Sequence, residues 1–291
     1  MAELDPENEK RGLSPSAQFW LRIRRDKLAC FGAIVIGIII FVAIFHSFIA
    51  PHSPFEQRLE RRLQGPSLSY PLGCDGFGRC ILSRIIYGTS YSLLVGLVSI
   101  GIGLSVGLAL GLLSGYYGGR VDIIISRFID ILMAFPSIFL AVAVIAVLGP
   151  GLFNVMIAVG IWSIPLFTRI IRGSVLSISQ NDYVRAAKTL GAPDSAILLT
   201  HILPNIAGPA IVLSTIRIAT AILSAAGLSF LGLGAQPPLP EWGAMLNDGR
   251  AFFRIAPHVV VFPGLAIILA VLAFNLLGDG LRDVLDPRMK E

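Results

Sequence analysis

The sequence is poor in charged residues and in cysteine. Only 14% of its 291 residues are charged while 55% are hydrophobic, a balance that leaves too little polar surface for a water-soluble globular domain. Three cysteines, Cys30, Cys74 and Cys80, are too few for a disulfide framework. Cys74 and Cys80 share one polar segment, and the sequence leaves open whether they remain thiols or form a bridge in an oxidising compartment.

Signatures of catalysis and of nucleotide binding are also lacking. None of the four lysines belongs to a Gly-Lys-Ser/Thr phosphate loop, so any ATP hydrolysis has to be supplied by another chain. There is no His-Glu-x-x-His motif, and the four histidines are scattered. The run from Gly103 to Gly107 lies within an apolar block and follows no strand, so it does not read as a nucleophile elbow. No basic run is long enough to indicate nucleic acid. The sequence therefore predicts no enzyme activity, no bound cofactor, no metal and no nucleic-acid partner.

What the sequence does contain is a series of long apolar blocks. About 20 helical residues cross roughly 30 Å of hydrocarbon, and backbone groups in lipid have to be bonded within their own segment. The pattern predicts an all-α polytopic membrane protein with six transmembrane helices. Gly101, Gly103 and Gly107 in the second block predict close helix packing, and the third block contains Pro136. The predicted spans are 31–50, 93–113, 131–148, 152–167, 206–228 and 259–277.

Lysine and arginine are distributed unevenly between the segments that join these blocks. With the N terminus in the cytoplasm, fifteen fall in inside segments and seven in outside segments, while Arg217 lies within a span. This bias predicts that both termini are cytoplasmic. The predicted regions are a cytoplasmic tail 1–29, a first transmembrane helix 30–50, an outside-facing loop 51–87, a five-helix core 88–279 and a cytoplasmic tail 280–291.

The inside segment at about 173–204 reads as two short helices joined at a glycine. Asp182 is a candidate N-cap for the first helix. Gly191 stands where a helix C terminus favours a residue that tolerates positive φ. Pro193 suits the first turn of a second helix, which we expect to end at Pro204. The segment therefore predicts a helical hairpin on the inner face.

Two polar residues within the predicted spans, Arg217 and Asn275, are candidates for a functional role. An arginine facing lipid at the centre of a span costs about 2.5–3.5 kcal/mol on insertion scales, so Arg217 is expected to face protein or a water-filled path. The sequence does not distinguish a residue that lines a pathway from a structural partner of a group on a neighbouring helix. Asn275 is expected either to line the pathway or, as such residues more often do, to form an interhelical hydrogen bond.

The hairpin carries a family signature. Residues 183–191 and 201–205 resemble the EAA loop of binding-protein-dependent ABC importer permeases, with the same spacing from paired alanines through glycine to Leu-Pro. The segment departs from that motif where Arg185 takes the place of glutamate. The resemblance implies that this loop couples the chain to an ATPase. The coupling residues implied are Tyr183, Arg185, Ala186, Ala187, Gly191, Leu203 and Pro204.

Further stretches are similar to the C-type subunit of the dipeptide/oligopeptide (nickel) permease group. Residues 72–84 resemble its outside-facing LGTDxxGRDxLSR pattern, with Cys74 for Thr and Cys80 for Asp, and 228–234 and 274–288 resemble later segments. The resemblance implies a type I ABC importer permease fold in the inner membrane of a prokaryote. It also implies a second homologous permease subunit, two ATP-binding-cassette ATPase subunits and an external solute-binding protein.

The function implied is the translocation of di- or oligopeptides, powered by ATP that partner subunits hydrolyse. Glutathione and nickel remain open as substrates within the same group. The alternative is a channel or ion-coupled carrier that acts without an ATPase. A carrier would call for paired intramembrane carboxylates or for helices broken at the midplane, whereas the predicted spans contain only Arg217 as a formal charge. A membrane scaffold without transport is a third hypothesis.

Overall fold

The computed structural model describes residues 26–285. Over that range the chain is helical, and the extended pairing within it is one antiparallel bridge between Cys74 and Cys80. The predicted tails fall largely outside the described residues, which exclude 1–25 and 286–291. The helices are α1 (Lys27–Ile49), α2 (Ile81–Tyr117), α3 (Gly119–Ala134), α4 (Ser137–Leu148), α5 (Leu152–Ile178), α6 (Asp182–Thr189), α7 (Asp194–Phe230), α8 (Trp242–Gly249) and α9 (His258–Leu285).

Five of the described helices, α1, α2, α5, α7 and α9, are long and apolar enough to cross a membrane. They match five of the six predicted spans, but they run past the predicted boundaries. α2 begins at Ile81, inside the predicted outside loop 51–87, and α9 continues beyond residue 279. The predicted spans end where the apolar run ends, whereas helical hydrogen bonding continues through polar and charged residues whose groups are satisfied. Arg84, in the first turn of α2, is buried beside Asp75.

The third predicted span is not one helix. α3 and α4 meet at 92° across Phe135 and Pro136. A residue before proline is pushed out of the helical region, and Phe135 is extended at φ −89°, ψ 133°. The 12 residues of α4 reach about 18 Å, less than the hydrocarbon thickness. The prediction of a continuous helix over 131–148 is therefore wrong, and the chain makes a sharply bent helix pair there.

Glycines on one side of α2 allow α5 to approach closely. Gly103, Gly107 and Gly111 recur every four residues and so share one helix face. A Cβ at Gly107 would lie 2.5 Å from the Cβ of Phe167, and one at Gly103 would lie 2.6 Å from the Cβ of Ser163. Close packing is thereby confirmed for Gly103 and Gly107, but a Cβ at Gly101 would meet no atom within 4 Å.

Two polar regions lie at opposite ends of α2. Near its start, loops 50–80 and 231–257 pack together, as the bond from Arg79 to Asp248 shows. At its other end, the Tyr116 hydroxyl donates to Asp194 Oδ1 of the α6–α7 hairpin at 2.7 Å. The 37 residues of α2 reach about 55 Å. The two loops predicted to face outside therefore share one end of the bundle, and the hairpin occupies the other.

Candidate functional site

The first helix of the hairpin ends in a Schellman motif. The N–H of Gly191 donates to the carbonyl of Lys188 at 3.1 Å, and the N–H of Ala192 donates to the carbonyl of Ala187 at 3.1 Å. These two bonds define the motif, which needs a left-handed residue at the position of Gly191. Gly191 has φ +81°. The predicted role of this glycine as a helix terminator is thus confirmed, and its cause is the backbone angle.

The start of α6 differs from the prediction. Asp182 is the first helical residue, and Asn181 occupies the N-cap position with an extended backbone and no capping bond from its side chain. Asp182 is therefore not the N-cap. Its carboxylate still lies in the first turn, where the positive end of the helix dipole favours a negative charge.

The second helix of the hairpin passes Pro204 instead of ending there. A proline inside an α-helix lacks an N–H, and its ring collides with the carbonyl four residues earlier. Here residues Ile197–Ile202 form a π-helical turn, in which the N–H of Leu203 donates to the carbonyl of Leu198. The wider turn, followed by Pro204 in the first turn of regular α-helix, removes both conflicts. The hairpin's second arm and the fifth span are consequently one helix, α7.

The side of the hairpin that packs against the other helices is part of the main hydrophobic core. Val184 of α6 packs in the same cluster as Val175 of α5 and Ile197 and Ile202 of α7. All four side chains are at most 3% exposed. Close-packed interiors transmit displacement rather than absorb it. The hairpin is therefore attached rigidly to the spans.

The predicted coupling residues all lie in this hairpin or at its base. Ala187 and Leu203 pack partly buried against the core. The exposed members surround them on the outer surface: Tyr183, Arg185, Ala186, Gly191 and Pro204. Sequence reasoning did not select Leu190, whose side chain is 86% exposed beside Gly191 at the hairpin tip. A large apolar residue that exposed is a signal of a contact surface.

Arg217 lies apart from the hairpin, further along α7. It lines a cavity of about 220 Å³ whose walls come from the α3–α4 bend, α5 and α7, with the polar side chains of Ser137, Ser163 and Thr220 among them. No acidic side chain in residues 26–285 forms an ion pair with Arg217. The cavity thus presents a cation without a countercharge from the described part of this chain.

Asn275 is not among the residues that line this cavity. It lies in α9, partly buried, and its side chain forms no hydrogen bond within residues 26–285. Asn275 therefore does not share the cavity with Arg217, and its role in a pathway or between helices stays a prediction.

A buried charge cluster at the other end was not selected by sequence reasoning. We call Asp75, Arg79, Arg84 and Asp248 the outer charge cluster. Arg79 Nε donates to Asp75 Oδ2 at 2.6 Å, and a second nitrogen of Arg79 lies 3.2 Å from Asp248 Oδ2. Arg84 Nε lies 3.5 Å from Asp75 Oδ2. Arg79 is 3% and Arg84 is 1% exposed, so both cations depend on these carboxylates.

The outer charge cluster also fastens the loops around it. Arg84 donates to the carbonyl of Pro54 in loop 50–80 at 3.3 Å and to the carbonyl of Pro238 in loop 231–257 at 3.4 Å. These two bonds join the outer loops. Nearby, the buried Glu241 caps α8 by accepting the N–H groups of Gly243 and Ala244, both at 2.9 Å. Burial raises the pKa of the Glu241 carboxyl, and the two N–H donors oppose that shift.

These features fit a membrane permease that a partner protein drives through the hairpin. The rigid hairpin offers a contact surface at one end, the outer loops are ordered at the other, and residues 26–285 hold no cluster of metal-ligating side chains. Residues 107–291 match the family described as binding-protein-dependent transport system inner membrane component, and residues 14–66 match the N-terminal transmembrane domain of oligopeptide transport permease C. The chain belongs to this family of transport system inner membrane components.

Two named permeases are similar to the chain over nearly its whole length. The chain is 52% identical over 278 residues to the glutathione transport system permease protein GsiD of Escherichia coli O157:H7, covering 95% of this chain and 92% of that protein. It is 47% identical over 285 residues to the dipeptide transport system permease protein DppC of Alkalihalophilus pseudofirmus, covering 98% and 94%. These relatives are named as permeases and not as enzymes, in agreement with the expected lack of enzyme activity.

Solved structures show the same fold. The inward-facing methionine ABC transporter MetNI matches with a TM-score of 0.56 at 20% identity, covering 70% of this chain and 97% of that chain. An amino acid ABC transporter with histidines matches with a TM-score of 0.52 at 16% identity, covering 67% and 91%. The all-α, type I ABC importer permease fold is confirmed. The chain is a multi-pass permease subunit of a bacterial ABC importer, which works with an ATPase and a binding protein.

Proposed function

We propose that this chain imports peptide-type substrates across the inner membrane as one of two homologous permease subunits. Two ATPase subunits would hydrolyse ATP, and an external solute-binding protein would deliver the substrate, while this chain binds no cofactor. Relatives named for dipeptide and for glutathione transport support the substrate class, at 47% and 52% identity. Both substrates are short, amide-linked and carboxylated, a chemistry that oligopeptides share and nickel ions do not.

The continuity of α7 carries this proposal. The helix starts at Asp194 in the hairpin and reaches Arg217 at the cavity 23 residues later, or about 35 Å along its axis. A packed helix moves as a rigid element. A push on the hairpin by a closing ATPase would therefore move the cavity wall directly.

The outer surface of the hairpin suits an ATPase groove. Tyr183, Leu190 and Leu199 are 46%, 86% and 63% exposed and offer aromatic and aliphatic anchors. Arg185 adds a charge beside them. We place this face, and both termini, in the cytoplasm, where ATP is available and where the excess of Lys and Arg belongs.

Reconstitution tests the proposal. The chain is assembled in liposomes with its second permease subunit and ATPases, and uptake of a labelled dipeptide, glutathione and Ni²⁺ is measured with the binding protein outside. We expect uptake of a peptide-type substrate that requires ATP and every subunit. Uptake by this chain alone, driven by an ion gradient, would support the carrier alternative instead.

We further propose that Arg217 lines the substrate pathway and attracts a substrate carboxylate. Replacing it by glutamine removes the charge, and we expect about fivefold slower uptake of a dipeptide with a free carboxylate, the scale of about 1 kcal/mol for a partly solvated ion pair. A C-terminally amidated dipeptide should be much less affected, and Arg217→Lys should retain most of the activity. Equal loss for both peptides, together with failure to assemble with the second subunit, would indicate a structural partner instead.

A further inference from the structure

Cys74 and Cys80 face each other across a single antiparallel bridge. Two backbone hydrogen bonds flank the pair, one on each side: Asp75 N–H to the Arg79 carbonyl at 3.0 Å and Ile81 N–H to the Gly73 carbonyl at 3.1 Å. The pair itself exchanges no backbone bond, and residues in such a position have Cα atoms about 4.5 Å apart with side chains on one side. A disulfide requires Cα atoms about 4.4–6.8 Å apart. The backbone therefore already has the spacing of a cross-strand disulfide.

The two thiols are enclosed in the packed loop. Cys74 is 0% and Cys80 is 2% exposed, and both pack against Tyr70. Both are thiols in the structure. Burial raises the pKa of Cys74 to about 11, so the packed loop holds a thiol rather than the reactive thiolate. Oxidation therefore has to take place before the loop closes, during folding.

The positions of the two cysteines are also informative. The segment 72–84 resembles LGTDxxGRDxLSR and departs from its fixed letters at Cys74 and Cys80, which are the two partners of the bridge. Each cysteine adjoins one member of the ion pair between Asp75 and Arg79. A link between the cysteines would fix the register in which that buried ion pair forms.

We propose that Cys74 and Cys80 form a disulfide in the mature protein. The inference rests on the proposed orientation, which exposes this loop to an oxidising compartment during folding. One cysteine thiolate attacks a disulfide oxidant, such as an oxidised dithiol protein, and forms a mixed disulfide. The second cysteine thiolate then displaces the oxidant. The two cysteines lose two electrons and two protons, and the oxidant leaves as a dithiol.

Peptide mapping tests the bond directly. Cells are lysed directly into denaturant that contains a maleimide, so that buried thiols are also trapped, and the purified protein is digested with trypsin. Cleavage after Arg62, Arg79 and Arg84 gives peptides 63–79 and 80–84, with one cysteine in each. We expect these two peptides to be joined and to separate only after reduction. Recovery of both peptides carrying maleimide, without reduction, would overturn the proposal.

Thermal melting gives a second readout. Adding a thiol reductant during the melt should lower the melting temperature of the wild-type permease by about 5 °C, the scale expected for a short closed loop in a protein of this size. The Cys74→Ser/Cys80→Ser variant should not respond to the reductant, and an equal response from both proteins would contradict the proposal.

ATP-driven uptake is measured on the same preparations. Maleimide-labelled cysteines with intact uptake would reject the disulfide alone, whereas a disulfide without ATP-dependent uptake would reject the importer function.

Discussion

Replacing Asp75 by asparagine is expected to destabilise the protein by about 3–5 kcal/mol, because removing one partner of a buried ion pair leaves its countercharge buried and uncompensated. Asparagine keeps an acceptor for the N–H groups of Phe77 and Arg79, which bond to Asp75 Oδ1 at 2.9 and 3.0 Å. It removes the negative charge beside Arg79 and Arg84, which are both almost fully buried. Melting of the detergent-solubilised protein measures the effect, with an expected decrease of roughly 10 °C.

An exposed ion pair in the same loop provides the matched control. Glu56 accepts from Arg58 at 2.8 Å, and the two side chains are 47% and 38% exposed. Because water and salt screen such a pair, Glu56→Gln should leave the melting temperature nearly unchanged. If Asp75→Asn melted at the same temperature as Glu56→Gln, the outer charge cluster would not stabilise the loops as we infer.

The features that the sequence predicted correctly depend on local patterns. A long apolar run has to be a helix in lipid whatever surrounds it, so α1, α5 and α9 follow from composition. The turn at Gly191 follows in the same way, because the backbone angle that ends α6 is available to glycine at little cost. The glycines at 103 and 107 of α2 repeat at helical spacing, which is enough to predict a close neighbour.

The features that the sequence did not predict depend on what each residue meets in three dimensions. Pro136 and Pro204 illustrate this, since the first produces a 92° bend and the second sits inside α7. A π-helical turn precedes Pro204 and none precedes Pro136, and no local rule distinguishes the two. The outer charge cluster was missed for the same reason, because Asp248 is 169 residues from its partner Arg79.

The continuous course of α7 past Pro204 changes the mechanical interpretation of the hairpin. Two helices separated at Pro204 would have needed a second contact to carry movement into the membrane. A single helix from the hairpin to the cavity needs none, and the buried Ile197 and Ile202 fix its base. The angle at which the hairpin meets its partner should then control transport, and Gly191 sets that angle at the turn.

Replacing Gly191 by valine is therefore expected to reduce substrate-stimulated ATP hydrolysis, and the peptide uptake that it drives, by about tenfold or more, with normal membrane insertion. A left-handed conformation costs an L-residue roughly 1–2 kcal/mol, and β-branching adds to the strain. A new Cβ would meet no atom within 4 Å, so the turn can relax at the surface without disturbing the core. Relaxation would break the two bonds of the Schellman motif and displace Leu190. Substrate-stimulated ATP hydrolysis in the reconstituted complex measures the loss.

Asparagine at the same position separates the effect of backbone angle from that of side-chain bulk. Asparagine tolerates the left-handed region much better than valine, and the space around position 191 is open to both side chains. Gly191→Asn should therefore retain most of the substrate-stimulated hydrolysis that Gly191→Val loses. Equal loss in the two variants would mean that the hairpin tip has to be free of any side chain, as in a tight interface. Full activity in both would show that the geometry of this turn does not transmit the movement, and the role proposed for the hairpin would have to be abandoned.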